Sequence, residues 1–151
     1  NKNIKILDIG CGTGLSGFEL KKIGFKCIDG LDLSEEMLRI AEKKKIYRSL
    51  INLDLNNTTD FNKKYDAIIA AGVISPKHAN PDTILSSYSI LKKKGLMIFS
   101  INDHALNDSL FLNSINKTIQ YSKFILLDQI YGDHIKVLNI KSSIFVLQKS
   151  N

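Results

Sequence analysis

Short apolar runs alternate along the chain with segments whose apolar positions recur at helical spacing, and turn-forming residues separate the two. That is the pattern of parallel strands joined by helices that cover a sheet on both faces. Ile4 to Ile9 reads as a first strand, Leu15 to Ile23 as a helix stopped by Gly24, and Phe25 to Leu31 as a second strand. Ser34 then offers an N-cap, Glu35 and Glu36 place negative charge in the first turn, and Lys43 to Lys45 place cations in the last. A third strand is predicted over Ile46 to Leu53, a polar loop over Asn56 to Lys64, and a fourth strand over Tyr65 to Ala71. Asn80, Pro81 and Asp82 mark the start of a helix running to about Lys93, with Gly95 as its stop. Leu96 to Ile101 makes a fifth strand and Asn107 to Tyr121 a further helix.

The alternation then ends. Lys123 to Tyr131 and Ile140 to Gln148 read as strands separated only by Gly132 to Asn139, too short a connection for a parallel crossover, so this last pair is expected to be antiparallel. The whole reads as one α/β domain, a doubly wound sheet that is mostly parallel and closes on an antiparallel hairpin. Because a strand-like run begins almost at Asn1, and that residue is not Met, a missing N-terminal segment is expected.

Composition narrows the function classes. A chain of 151 residues buries roughly two-thirds of its unfolded surface, enough for a core without covalent staples. Two cysteines exclude a disulfide scaffold, and neither lies in a zinc-ligand pattern, so a reducing, cytoplasmic setting is expected. No apolar run approaches the roughly 20 residues of a membrane span. The net charge of +6 invites a nucleic-acid reading. The lysines, however, are scattered, with Lys21, Lys22, Lys43 to Lys45 and Lys92 to Lys94 near predicted helix ends, where they complement the helix dipole.

The chemistry concentrates in Leu7-Asp8-Ile9-Gly10-Cys11-Gly12-Thr13-Gly14, a strand entering a glycine turn and then a helix. Glycines admit positive φ and let a ligand approach the backbone, and the free N–H groups of a helix start attract electron-rich groups. Asp8, near the end of an apolar strand, must be solvated or partnered, and a cationic ligand group is the expected partner. Asp32 ends the second strand 20 residues after Gly12, where a carboxylate reaches the two hydroxyls of a ribose. Asp54, at the end of the third strand, suits the exocyclic amine of an adenine ring.

Gly12-Thr13-Gly14-Leu15-Ser16-Gly17 satisfies the dinucleotide pattern GxGxxG, so a nicotinamide dinucleotide competes with S-adenosylmethionine as ligand. Asp8 decides between them: a carboxylate repels a pyrophosphate and attracts the ammonium of a methionine moiety.

The ordered set LDIGCGTG, GLDLS, LDL, YDAIIAAG and LKKKGLMIF, from about Ile4 to Asn102, resembles class I S-adenosylmethionine-dependent methyltransferases. The run from Tyr65 to Ser75 resembles most the Williams–Beuren-region methyltransferase-like branch. The resemblance implies a Rossmann-like sheet of order 3-2-1-4-5-7-6 with strand seven antiparallel. It implies that Asp8, Gly10, Cys11, Gly12 and Gly14 hold the methionine moiety and Asp32 the ribose. Leu33 and Met37 would line the adenine, Asp54 and Leu55 its edge, and Ala71 and Gly72 the methionine side. The chain departs from the family where Lys92-Lys93-Lys94-Gly95 replaces Lys-Pro-Gly-Gly, and the helices that often cover the substrate ahead of the first strand in relatives are expected to be absent or removed here.

Methyl transfer from a sulfonium requires alignment more than acid–base help. If a base takes part, His78, His104 and Asp103 fall on loops at the correct sheet edge. Cys11, in a turn that needs a small residue, is expected to pack, and His134 to be structural or exposed. The strand-four exit, Ala71-Gly72-Val73-Ile74-Ser75-Pro76, lacks the Asn/Asp-Pro-Pro-aromatic clamp for a flipped adenine and the Pro-Cys nucleophile for cytosine. A small-molecule acceptor is therefore expected, with a protein side chain as second choice; no metal is called for, and a non-catalytic cofactor-binding subunit and a dehydrogenase are the competing classes.

Overall fold

The computed structural model describes residues 1–54, 64–76, 80–135 and 139–151. Its elements are β1 (Lys5–Ile9), α1 (Leu15–Lys22), β2 (Cys27–Asp32), α2 (Glu35–Lys43), β3 (Ser49–Asn52), β4 (Tyr65–Ala70), α3 (Asp82–Ile90), β5 (Leu91–Asn102), α4 (Asp103–Leu106), α5 (Ser109–Tyr121), β6 (Phe124–Ile135) and β7 (Ile140–Lys149). One seven-stranded sheet has the order β3-β2-β1-β4-β5-β7-β6. β1 to β5 run parallel, and β7 is antiparallel to both β5 and β6, the hairpin expected from the short connection.

The main core lies on one face of the sheet. Leu7 and Ile9 of β1, Leu31 of β2, Ile68 and Ala70 of β4, Met97, Phe99 and Ile101 of β5, and Phe145 and Leu147 of β7 pack there. Ile84 and Ile90 of α3 and Phe111 and Ile115 of α5 close over them. Phe99 and Phe145, paired across β5 and β7, stack with centroids 5.0 Å apart, which fixes the antiparallel register as well as filling the core. Alternate residues point the other way, so Asp8 between Leu7 and Ile9, and Gly30 beside Leu31, face α1 and α2.

Several boundaries differ from the sequence expectation for local reasons. β3 is shorter than Ile46 to Leu53 because Lys45 takes a positive φ of 51° and turns the chain, leaving Ile46 and Tyr47 to pack under the helices. α3 ends at Ile90 and β5 begins at once, with a register break between Tyr65 and Ala67 on its partner. The helix expected over Asn107 to Tyr121 forms as α5, capped by Asp108, which accepts from Phe111 N at 3.0 Å, and a short α4 capped by Asn102 precedes it. Ser34 caps α2 as its sequence position predicts, accepting from Met37 N. Between β1 and β4 the strand order reverses, which opens a crevice at the carboxyl ends of the parallel strands.

Candidate functional site

That crevice is floored by the turn from Gly10 to Gly14. Gly10, Gly12 and Gly14 all have positive φ, 61°, 51° and 89°, a backbone that side-chain-bearing residues adopt at a cost of about 1–2 kcal/mol each. Their surroundings separate their roles. A Cβ on Gly10 would lie 2.4 Å from Val73, so this glycine lets the β4 exit close against the turn. A Cβ on Gly12 would meet nothing within 4 Å, and the same holds for Gly72, whose φ is 71°. These two glycines border open space at the crevice, where a ligand could approach the backbone closely.

Asp32 is tied into this floor. One carboxylate oxygen accepts from Gly12 N at 2.8 Å and the other from Ser34 N at 2.9 Å, so the side chain is held over the turn with acceptor capacity left on each oxygen. Backbone bonds extend the frame: Cys11 N donates to Leu31 O at 3.0 Å, and Leu53 N to Asp32 O at 3.3 Å, which brings half-buried Asp54 beside the end of β2. Leu33 and Met37 are 67% and 40% exposed next to Asp32, an apolar ledge in water beside a fixed carboxylate. An adenosine fits that chemistry, with hydroxyls for the carboxylate and a flat apolar ring for the ledge. Ala71 is exposed, and Gly72 N donates to Ser100 Oγ at 2.8 Å, which fixes the opposite wall.

Asp8, for which a cationic ligand group is the expected partner, has protein partners in the structure. It is 1% exposed and faces protein: Tyr47 OH donates to its Oδ2 at 2.6 Å, and the Gly17 backbone N–H bonds it as well. Gly14, the N-cap of α1, has no side chain to satisfy the helix's first N–H groups, and Asp8 faces one of them, that of Gly17, from below the turn. Parity explains the difference, because a residue between inward-facing Leu7 and Ile9 points under α1 rather than out of the strand tip. Burial pushes the Asp8 carboxyl up to about 6, against the opposing pull of the Tyr47 and Gly17 bonds and with a further upward push from Asp32. The two carboxylates still make the turn a poor seat for a pyrophosphate.

Cys11 is buried, and its thiol is pushed up to about 12 by burial and by the nearby Asp8 and Asp32 charges, which keeps it protonated and non-nucleophilic. Asp103 is a structural tie. Its Oδ1 accepts from Tyr131 OH at 2.9 Å and its Oδ2 from Lys141 N at 3.2 Å, which pins α4 to the β6–β7 hairpin. His104 is exposed in α4. His78 and Leu55 lie outside the described residues. Tyr47, which no motif singled out, is the functional-region residue missed by sequence reasoning. Three glycines that must be filled by something, Gly14, Gly17 and Gly30, were its only trace.

An apolar groove of about 280 Å³ lies between α1 and the second face of the sheet, lined by Leu20, Ile23, Ile69, Ile98 and Ile144 among others, and it meets the crevice wall at Ala71 and Ser100.

The family model described as a methyltransferase domain matches residues 1–149. A malonyl-[acyl-carrier protein] O-methyltransferase of Halalkalibacterium halodurans is 37% identical over 102 residues, 63% of this chain and 38% of that protein. The magnesium protoporphyrin IX methyltransferase of Synechocystis PCC 6803, solved with bound SAM, superposes with a TM-score of 0.76 at 21% identity, covering 98% of this chain and 71% of that one. A [4+2]-cyclase, SpnF, superposes with a TM-score of 0.75 at 15% identity over 98% of this chain and 76% of its own. The chain spans about half the length, or less, of the curated relatives it matches.

Proposed function

The chain belongs to the methyltransferase domain family, and from that premise we propose that it binds S-adenosylmethionine in the crevice and transfers its methyl group to a small-molecule acceptor. The observation that carries the reading is the Asp32 carboxylate clamped by Gly12 N and Ser34 N beside the open cradle of Gly12 and Gly72. Asp32 would hold the ribose, Leu33 and Met37 the adenine, Asp54 its edge, and the turn with Ala71 and Gly72 the methionine moiety. The bound sulfonium supplies an electrophilic methyl group. The chain's own contribution is alignment and exclusion of water, which suits a site built from backbone and apolar groups.

The acceptor reading rests on the β4 exit, where Ala71 and Gly72 leave no side chain able to clamp a nucleobase. Two free thiols, Cys11 and Cys27, suit a reducing, cytoplasmic setting. No helix among the described residues is long and apolar enough to cross a membrane, and no group of metal-ligating side chains occurs among them.

Isothermal titration of the full-length protein with S-adenosylhomocysteine, S-adenosylmethionine and NAD tests the first step. Micromolar binding of the two sulfur nucleosides with none of NAD is expected, and the reverse preference overturns the assignment. Transfer of labelled methyl to a cellular metabolite fraction then separates an enzyme from a non-catalytic binding subunit, or from a cyclase on the same fold. Label recovered only in protein or nucleic acid overturns the small-molecule acceptor.

A further inference from the structure

Tyr47 belongs to the connection between α2 and β3, well away in sequence from the glycine turn, yet the turn is built around it. A Cβ on Gly14 would lie 3.1 Å from its ring, one on Gly17 2.5 Å from its Cζ and hydroxyl, and one on Gly30 3.1 Å from its Cδ1. Gly14 comes from the turn, Gly17 from α1 and Gly30 from β2, so three elements give up their side chains to one slot, and the Tyr47 ring fills it. The hydroxyl at the end of that ring is the group that reaches Asp8 Oδ2 at 2.6 Å. Gly17, the last glycine of the GxGxxG pattern, is thereby explained by packing against Tyr47 rather than by a pyrophosphate.

Asp8 in turn bonds Gly17 N–H in the first turn of α1. One chain of contacts therefore runs from the α2–β3 connection through Tyr47 and Asp8 to the start of α1, directly below Gly12, whose N–H holds Asp32. A displacement of Tyr47 would free Asp8, loosen the helix start and alter the shape of the cradle.

We propose that Tyr47 is a positioning residue of the cofactor site: through its hydroxyl it fixes the Asp8 carboxylate, and through Asp8 it holds the glycine turn in its binding shape. This rests on the reading that the turn binds S-adenosylmethionine. The groups that face Asp8 are the Tyr47 hydroxyl from the α2–β3 connection, Gly17 N–H from α1 and Asp32 from the end of β2, with the Cys11 thiol of the turn also in its field. Protonation of Asp8 removes the negative charge that caps α1, so nucleoside affinity should weaken on the acid side of about pH 6.

The test is the S-adenosylhomocysteine dissociation constant of the full-length protein, measured by calorimetry from pH 5 to 8 for the wild type and Tyr47→Phe, which keeps the ring and deletes the hydroxyl. Tyr47→Phe is expected to bind about tenfold more weakly at pH 7.5, the scale of a lost hydrogen bond to a charged group. Its acid-side weakening should begin at a higher pH, because Asp8 has lost a bond that favours its ionised form. Wild-type affinity that is flat across this range, or a Tyr47→Phe curve superimposable on the wild type, overturns the role of Tyr47 while leaving the cofactor site standing. The wild-type curve answers even if the variant does not fold. A wild type that binds no sulfur nucleoside at all overturns the proposed function, and this role with it.

Discussion

Beyond β1 and β2, the acidic side chains at the carboxyl edge of the sheet are organised by the backbone of one turn: Asp32 takes N–H groups from Gly12 and Ser34, and Asp8 supports the helix that follows. Beyond β5, on the same edge, Asp103 takes the Tyr131 hydroxyl and the Lys141 N–H, both from the terminal hairpin. The first region holds the Asp32 carboxylate over a turn bordered by glycines and exposed Leu33 and Met37, with Asp8 buried beneath it. The second uses its carboxylate to fasten two pieces of fold together. A strand-end acid is thus informative by its partners rather than its position. Donors within a glycine turn leave room for a ligand, whereas donors from a distant strand close the site on itself.

Removal of each carboxylate should separate the two regions most sharply. Asp32→Ala loses the clamp on Gly12 and the carboxylate proposed to hold the ribose, and S-adenosylhomocysteine affinity measured by calorimetry should fall by about a hundredfold or more, the scale of two charge-assisted hydrogen bonds. Equal affinity in the variant would place the nucleoside elsewhere and erase the contrast.

The next largest effect is pH-dependent and belongs to Asp8. Folding raises its carboxyl to about 6 from 3.8, so between those values the folded state holds more protons than the unfolded state. Stability contributed by this group therefore falls as pH rises through that window, by on the order of 2–3 kcal/mol. Denaturant titrations at pH 4, 5 and 6 should show the decline in the wild type and a flatter profile in Asp8→Asn. A wild-type profile as flat as the variant's would mean that Asp8 is solvated and that the first region is less buried than its geometry indicates.

Asp103→Ala should show the complementary behaviour. With Tyr131 and Lys141 left without their acceptor, the midpoint of denaturant unfolding should drop slightly, because water replaces part of what these exposed groups lose, while S-adenosylhomocysteine affinity stays at the wild-type value. A loss of affinity without a loss of stability would reverse the roles assigned to the two regions.

The same contrast explains what the sequence made legible. The strand order and the hairpin follow from connection lengths and from alternation in which one face is apolar, as in Met97, Phe99 and Ile101 of β5. Asp32 was legible because its spacing from Gly12 is set by one helix and one strand. The protein partners of Asp8 were not legible, although the parity of Leu7 and Ile9 contained its direction, because its roof is a helix start that exists only after folding. Tyr47 lies 39 residues from Asp8, and it was read as part of a strand. Asp103 carried no local sign that Tyr131 and Lys141 would claim it, since both arrive from 28 and 38 residues downstream.

The smallest effect comes from the turn before β5, far from both carboxylates. Lys94 has a φ of 58° and stands where the resembled family has glycine, while a Cβ on the adjacent Gly95 would lie 2.9 Å from Lys92 O and 3.1 Å from Asp66 O. Gly95 is fixed by backbone crowding, but Lys94 carries a side chain in a region that disfavours one. Lys94→Gly relieves that strain and adds freedom to the unfolded chain, two effects that oppose each other. The relief is the larger, so a gain of about 0.5–1 kcal/mol is expected in denaturant unfolding, with nucleoside affinity unchanged. A loss of stability would show that the Lys94 carbonyl, which accepts from Gln148 Nε2 at 3.3 Å, matters more to the β5–β7 pairing than the strain does. Changed affinity would mean that this distant turn reaches the crevice through β5 and Ser100, and the separation between the two regions would no longer hold.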